Sequence, residues 1–152
     1  MAVYEPVLLV VKSREQRERV RAMLGQAHAD RGNVRCVIAN TNRSWMRDSG
    51  PVVVQRSDGT REALQFRFNG WAKYPNHRLD AAIPPAVAAS LQLPLTRVLR
   101  DGRPVVLEGG AIDVNGSGTL ITTEECLLDA GVQVRNPGLT KQDYESVFGE
   151  YL

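Results

Sequence analysis

An α/β fold is predicted by three observations at the start of the chain: an unbroken apolar run, a helical apolar stripe directly behind it, and a second apolar run after a short break. Val7–Val11 consists only of valine and leucine, the pattern of a strand covered on both faces. Ser13 with Gln16 three places on reads as a capping box, and Val20, Met23, Leu24 and Ala27 recur at i, i+3, i+4 and i+7 to form one buried stripe. Gly32 and Asn33 close the helix, and residues 34–39 form the next strand.

The remaining elements follow from local chemistry. Val52–Gln55 and residues 61–68 flank Asp58-Gly59, a pair that tolerates positive φ, so a hairpin is expected. Its second strand alternates, with Leu64, Phe66 and Phe68 on the core face and Gln65 and Arg67 on the other. Pro84 and Pro85 suit a first helical turn, where missing amide donors cost nothing, and Leu91 ends that helix. Residues 95–99, 105–107 and 111–114 read as strands, broken at Asp101-Gly102 and at Glu108-Gly109-Gly110, and residues 119–122 close a further hairpin. Thr122 and Glu125 suggest a second capping box before a short helix. Thr140 caps the last helix, in which Leu139 staples onto Tyr144 and Tyr144, Val147, Phe148 and Tyr151 face inward.

Composition excludes several classes of function. With 43% hydrophobic and 24% charged residues in 152, the chain reads as one globular domain spanning 1–152. The formal charge is only +2 and the signs are interspersed: Arg14, Arg17, Arg19 and Arg21 are broken by Glu15 and Glu18, so no nucleic-acid partner is expected. Cys36 and Cys126 lie in separate apolar segments without metal-ligand spacing, which points to a reducing, cytoplasmic location and no metal. No stretch is long and apolar enough for a membrane span.

Two constellations carry possible chemistry. Residues 40–51 form a polar turn between apolar strands, the place where α/β folds usually hold ligands, and it contains Trp45 and Asp48. Three residues apart, they face one way if the loop coils, offering an indole beside a carboxylate, which suits a guanidinium. A structural reading also stands: Asp48 pairs with Arg47 or Arg43, or caps Gly50, and Trp45 covers the sheet. Glu108 follows an apolar run and precedes two glycines that permit close backbone approach or positive φ. It either begins a polar turn and pairs with Arg103, or joins Asp48 in holding a cation or a histidine from two sides. Trp71 is a second aromatic wall or the plug of a core edge. His28 and His77 read as surface residues.

Four ordered motifs, Ser44-Trp45-Met46-Arg47-Asp48-Ser49-Gly50-Pro51, Phe68-Asn69-Gly70-Trp71, Leu107-Glu108-Gly109-Gly110 and the stretch 118–128, closely resemble the agmatine deiminase and bacterial peptidyl-arginine deiminase family. The resemblance implies a partial pentein, a pseudo-fivefold α/β propeller of which roughly two to three ββαβ-type modules are present. It implies a hydrolase that converts a guanidine to a ureido group with loss of ammonia, without metal or organic cofactor. Agmatine, converted to N-carbamoylputrescine in putrescine and polyamine synthesis, is the substrate it favours, with peptidyl-arginine as the alternative. By motif, Asp48 clamps the guanidinium, Trp45 and Trp71 line the substrate channel, and Glu108 supports a catalytic histidine.

Departures from the family pattern shape the remaining expectations. The Gly-His-Ile-Asp-type motif and the nucleophilic cysteine of the family are not found in this sequence, and the resemblance gives Cys126 no catalytic role. The chain therefore reads as an internal fragment, truncated at both ends, without turnover of its own and prone to self-association through uncovered module edges. Ala72-Lys73 replaces the glycine pair usual after the tryptophan. A guanidinium-binding or subunit-interaction module without chemistry is the alternative function.

Overall fold

The computed structural model describes residues 4–29 and 32–152. It contains two compact units, Met1–Thr41 and Asn42–Leu152. In the first, β1 (Val7–Val11), α1 (Arg14–Gln26) and β2 (Val34–Ile38) form a strand, helix, strand unit, with β1 and β2 parallel and Val7 opposite Val34. Ser13 caps α1 by accepting the Gln16 N–H at 3.2 Å, while the Gln16 side chain reaches back to the Lys12 N–H, one residue earlier than a reciprocal box requires. The expected buried stripe does not form: no residue of α1 is buried and Met23 is 66% exposed. Its spacing is helical, but within this unit the helix faces only two strands, too narrow a surface to cover it. For the same reason only Val11 of β1 is buried.

The second unit opens with a single helical turn, α2 (Met46–Ser49), and then a ββαβ passage: β3 (Val52–Gln55), β4 (Arg61–Gln65), α3 (Ile83–Leu91) and β5 (Leu95–Arg97). β3 and β4 are antiparallel around a turn in which Gly59 takes φ +84 and Asp58 Oδ1 accepts the Thr60 N–H. The crossover through α3, with Pro84 and Pro85 in its first turn, makes β5 parallel to β4. β6 (Leu99–Arg100) and β7 (Arg103–Pro104) are a tight hairpin whose corner residues Asp101 and Gly102 both have positive φ. β8 (Ile112–Val114) pairs with β9 (Leu120–Thr122), followed by α4 (Glu124–Leu128) and α5 (Lys141–Tyr151). Leu64, Phe66, Val98, Val105, Leu107, Ile112, Leu127, Tyr144 and Val147 form one core cluster, with Phe148, Tyr151 and Leu139 packed against it as the α5 spacing predicts. Among the described residues no helix is long and apolar enough to cross a membrane.

Three local expectations are corrected. Residues 105–107 are not a regular strand: only Val106 bridges, parallel to Arg67, because the β6–β7 hairpin ends the ladder just before it. The second strand of the first hairpin stops at Gln65 rather than continuing to residue 68, although Phe66 and Phe68 remain buried and Arg67 exposed. Thr122 does not cap α4. Thr123 occupies that position without a side-chain bond, and the Thr122 hydroxyl donates instead to the Ala111 carbonyl at 2.7 Å. The box at α5 is present, closed by Thr140 with Asp143.

Candidate active site

Two chain segments leave the second unit's sheet side by side. Arg67 N–H donates to the Val105 carbonyl at 2.8 Å and residues 67 and 106 bridge in parallel, so the segments that follow them emerge at the same end. Trp71 lies four residues beyond Arg67, and Gly110 four beyond Val106. Both reach α2. The Trp71 Nε1–H donates to Asp48 Oδ2 at 3.2 Å. A Cβ at Gly110 would lie 2.1 Å from Asp48 Oδ1, and one at Gly109 would lie 2.4 Å from the Arg47 carbonyl oxygen. Neither glycine has positive φ, so of the two reasons for a glycine pair it is close approach that applies.

Asp48 is half-buried and has no cationic partner among the described residues. The two arginines expected to compete for it are engaged elsewhere. Arg47 donates to the Ile112 carbonyl at 3.2 Å. Arg43 donates to the backbone oxygen of Asn76 at 2.6 Å and to its side chain, and its cation lies over the rings of Trp71 and Tyr74. Of the two tryptophans, Trp71 rather than Trp45 is the one that meets the carboxylate. Trp45, at the N-cap of α2, is 62% exposed, and its carbonyl takes the Asp48 and Ser49 amides. Trp71 also meets Phe68 edge-on with 5.0 Å between centroids, so it packs at the edge of the core as well as reaching Asp48.

Glu108 differs from expectation. Only 1% exposed, it accepts the Arg135 Nε–H at both carboxylate oxygens, 2.9 and 3.1 Å, and is not paired with Arg103. Arg135 is itself buried and also donates from Nη1 to the Gln133 carbonyl. Burial pushes the Glu108 carboxyl above its ordinary range, Arg135 offsets this in part, and the charge of Asp48 adds to the rise. Asp48 is near enough for its charge to act on Glu108, but the two acids do not grip one cation from two sides: Asp48 is half-buried and Glu108 is enclosed in its pair with Arg135. Arg135 escaped the sequence reading because a partner 27 residues away leaves no local pattern.

The other titratable candidates lie off this cluster. Cys126 packs against the core from α4. His77 is half-buried against Phe68, with ring centroids 6.2 Å apart, and its Nδ1 is buried without a hydrogen-bond partner. Among the described residues no group of three His, Cys, Asp or Glu could hold a metal ion. A cavity of about 350 Å³ between β9, α4 and α5 is lined by Leu120, Leu127, Tyr144 and Phe148 and contains none of the site residues.

Known proteins resemble this chain in sequence and in fold. An agmatine deiminase of Pseudomonas syringae is 39% identical over 157 residues, a match covering all of this chain and 39% of that protein. An X-ray structure assigned provisionally as an agmatine deiminase superposes with TM-score 0.83 at 32% identity, over 99% of this chain and 40% of that one. A C. jejuni agmatine deiminase with substrate bound gives TM-score 0.73 at 28% identity, over 95% and 39%. The chain therefore spans about two fifths of the length of these relatives. The family profile of the Porphyromonas-type peptidyl-arginine deiminases matches residues 1–152, and on that match this chain belongs to that family.

Proposed function

We propose that the protein is a guanidino-group hydrolase acting on agmatine, R–NH–C(NH₂)₂⁺ plus water giving R–NH–CO–NH₂ plus ammonium, with Asp48 as the carboxylate that clamps the substrate cation. The observation that carries the reading is the state of Asp48: oriented by the Trp71 N–H, pressed against Gly110, and left without a positive partner although Arg43 and Arg47 lie within five residues of it. A carboxylate fixed in this way is matched by an incoming planar fork of N–H donors, and a fixed geometry spares the ordering cost of binding. Trp71 supplies the wall for the alkyl stem, and Trp45 is proposed for the outer channel. Glu108, enclosed with Arg135, is proposed to act by supporting other groups and not by touching substrate. The relatives' names favour agmatine over a protein-bound arginine.

The reading extends to the fold. The ββαβ passage β3–β4–α3–β5, the ββαα passage β8–β9–α4–α5 and the βαβ of the first unit support two to three modules of a pentein. Exposed Val114 and Ile121 on the β8–β9 hairpin support self-association through uncovered edges.

A second reading, binding without chemistry, is favoured by the placement of Cys126 in the apolar cluster. One experiment addresses both. The chain is titrated calorimetrically with agmatine while ammonia is followed in the same sample. Saturable binding that Asp48→Asn weakens by at least about tenfold supports the clamp. Equal binding by wild type and variant, or none by wild type, overturns it, and ammonia release excludes the binding-only reading.

A further inference from the structure

Arg43 is the least expected residue of the site, a second guanidinium already in place beside the one the site is proposed to bind. Its Cζ lies 4.8 Å from the Tyr74 ring centroid and 5.7 Å from that of Trp71, within reach of a stacking cation. Its fork is taken by the backbone oxygen and side chain of Asn76, and its Nη1 lies 3.9 Å from Asp80 Oδ2. Asp80 is 1% exposed and ties the same loop a second time, its Oδ1 accepting the N–H groups of Asn42 at 2.8 Å and Arg43 at 3.0 Å. Asn42 returns the bond by accepting the Leu79 N–H at 3.0 Å. The loop before α2 and the loop after Trp71 are therefore clasped from both sides, and Arg43 is the part of the clasp that touches the indole.

The indole needs such a support. Gly70, Trp71 and Ala72 have φ of +70, +61 and +55, three consecutive left-handed residues of which two carry a Cβ, a conformation that is costly unless its surroundings impose it. Asn69 Oδ1 accepts the Ala72 N–H at 2.8 Å, and the Gly70 carbonyl accepts the amides of Lys73 and Tyr74, so the backbone turn is held locally. The ring is not held by these bonds. Its contacts are the edges of Phe68 and Tyr74, the cation of Arg43 over its ring, and the long hydrogen bond to Asp48.

We propose that Arg43 is a positioning residue for the guanidinium clamp: clasped by Asn76 and Asp80, it holds the Trp71 indole in the plane from which Nε1–H orients Asp48. The proposal rests on the reading of Asp48 given above, and it requires arginine specifically, because a planar fork can stack on one ring and bond bidentately at the same time whereas an ammonium cannot. Arg43 touches neither substrate nor reacting atoms.

The test uses ¹⁵N-labelled chain, whose two tryptophans give two indole N–H signals; Trp71→Phe assigns them. In wild type the Trp71 signal exchanges with solvent more slowly than that of exposed Trp45. Arg43→Gln and Arg43→Lys are each expected to abolish that protection and to weaken agmatine binding by about tenfold, with the circular dichroism spectrum unchanged. Protection and affinity that stay at wild-type level in both variants overturn the proposal. If wild type does not bind agmatine but Arg43→Gln still frees the Trp71 N–H, the functional reading falls and the positioning role stands. If Arg43→Gln unfolds, Arg43→Lys, which keeps the charge beside Asp80, decides: restored protection by lysine refutes the need for a planar fork.

Discussion

Gly110→Ala is the substitution that separates the placement of Asp48 from everything else in the fold. The added methyl would lie 2.1 Å from Asp48 Oδ1 and 3.2 Å from its Cγ. Carbon and oxygen that are not bonded need more than 3 Å, so the carboxylate must retreat by roughly 1 Å. The backbone at residue 110 does not resist, since its φ is not left-handed, and the residue is exposed, so the core is untouched. The hydrogen bond from Trp71 is already 3.2 Å long, at the end of the useful range, and a retreat of this size breaks it. Misplacing a clamping group by about 1 Å costs up to roughly 100-fold, and losing one charge-assisted hydrogen bond about 1.5–3 kcal/mol, so agmatine affinity is expected to fall by about 10- to 100-fold. Calorimetric titration measures it, with thermal denaturation as the check that the fold survives. A Gly110→Ala chain that binds agmatine like wild type refutes the reasoning, since Asp48 would then have moved without consequence.

Two further predictions concern stability and pH. Arg135→Met leaves the Glu108 carboxylate enclosed without its partner and is expected to cost about 3–5 kcal/mol in urea denaturation, because removing one member of a buried pair strands the other; a loss below about 1 kcal/mol shows that the pair is not what keeps Glu108 inside. Asp143 is held below the ordinary carboxylate range by the backbone and hydroxyl of Thr140 and by Arg100. Its folded pKa being depressed, its contribution is present above the unfolded value of about 3.8 and is lost as pH falls through the folded value. Asp143→Asn should therefore flatten the acid limb of a stability profile recorded between pH 2 and 5, and an unchanged limb shows that the capping box does not titrate with folding.

What was legible in the sequence was what a short window decides. The strand at β1, the inward side of Leu64, Phe66 and Phe68, the proline pair at α3 and the Tyr144–Val147 stripe at α5 are each decided locally, and the structure reproduces them, although β1 is not covered on both faces and β4 stops at Gln65. Residues 105–107 looked like a strand for the same local reason, since buried apolar residues in extended backbone satisfy the pattern whether or not a ladder continues past them. Thr122 looks like a cap because Glu125 lies three residues on, but its hydroxyl is taken by a carbonyl eleven residues away and Thr123 stands at the cap. Long-range pairs were invisible throughout: Glu108 with Arg135, Arg43 with Asn76 and Asp80, Trp71 with Asp48.

The candidate site divides along the same line. Asp48 and the glycine pair were identifiable because each lies in a polar turn beside an apolar run, but their relation was not, and the relation is what matters. Gly110 is small so that Asp48 can be close, Trp71 is strained so that its N–H can reach the same carboxylate, and Arg43 lies against the ring that bears that N–H. Each of these residues, taken singly, has an ordinary structural role. Their convergence on one half-buried acid leaves it without a cationic partner among the described residues, although Arg43 and Arg47 lie within five residues of it. That both arginines bond elsewhere while the carboxylate is held in a fixed orientation is the arrangement required if the positive charge is to come from a ligand.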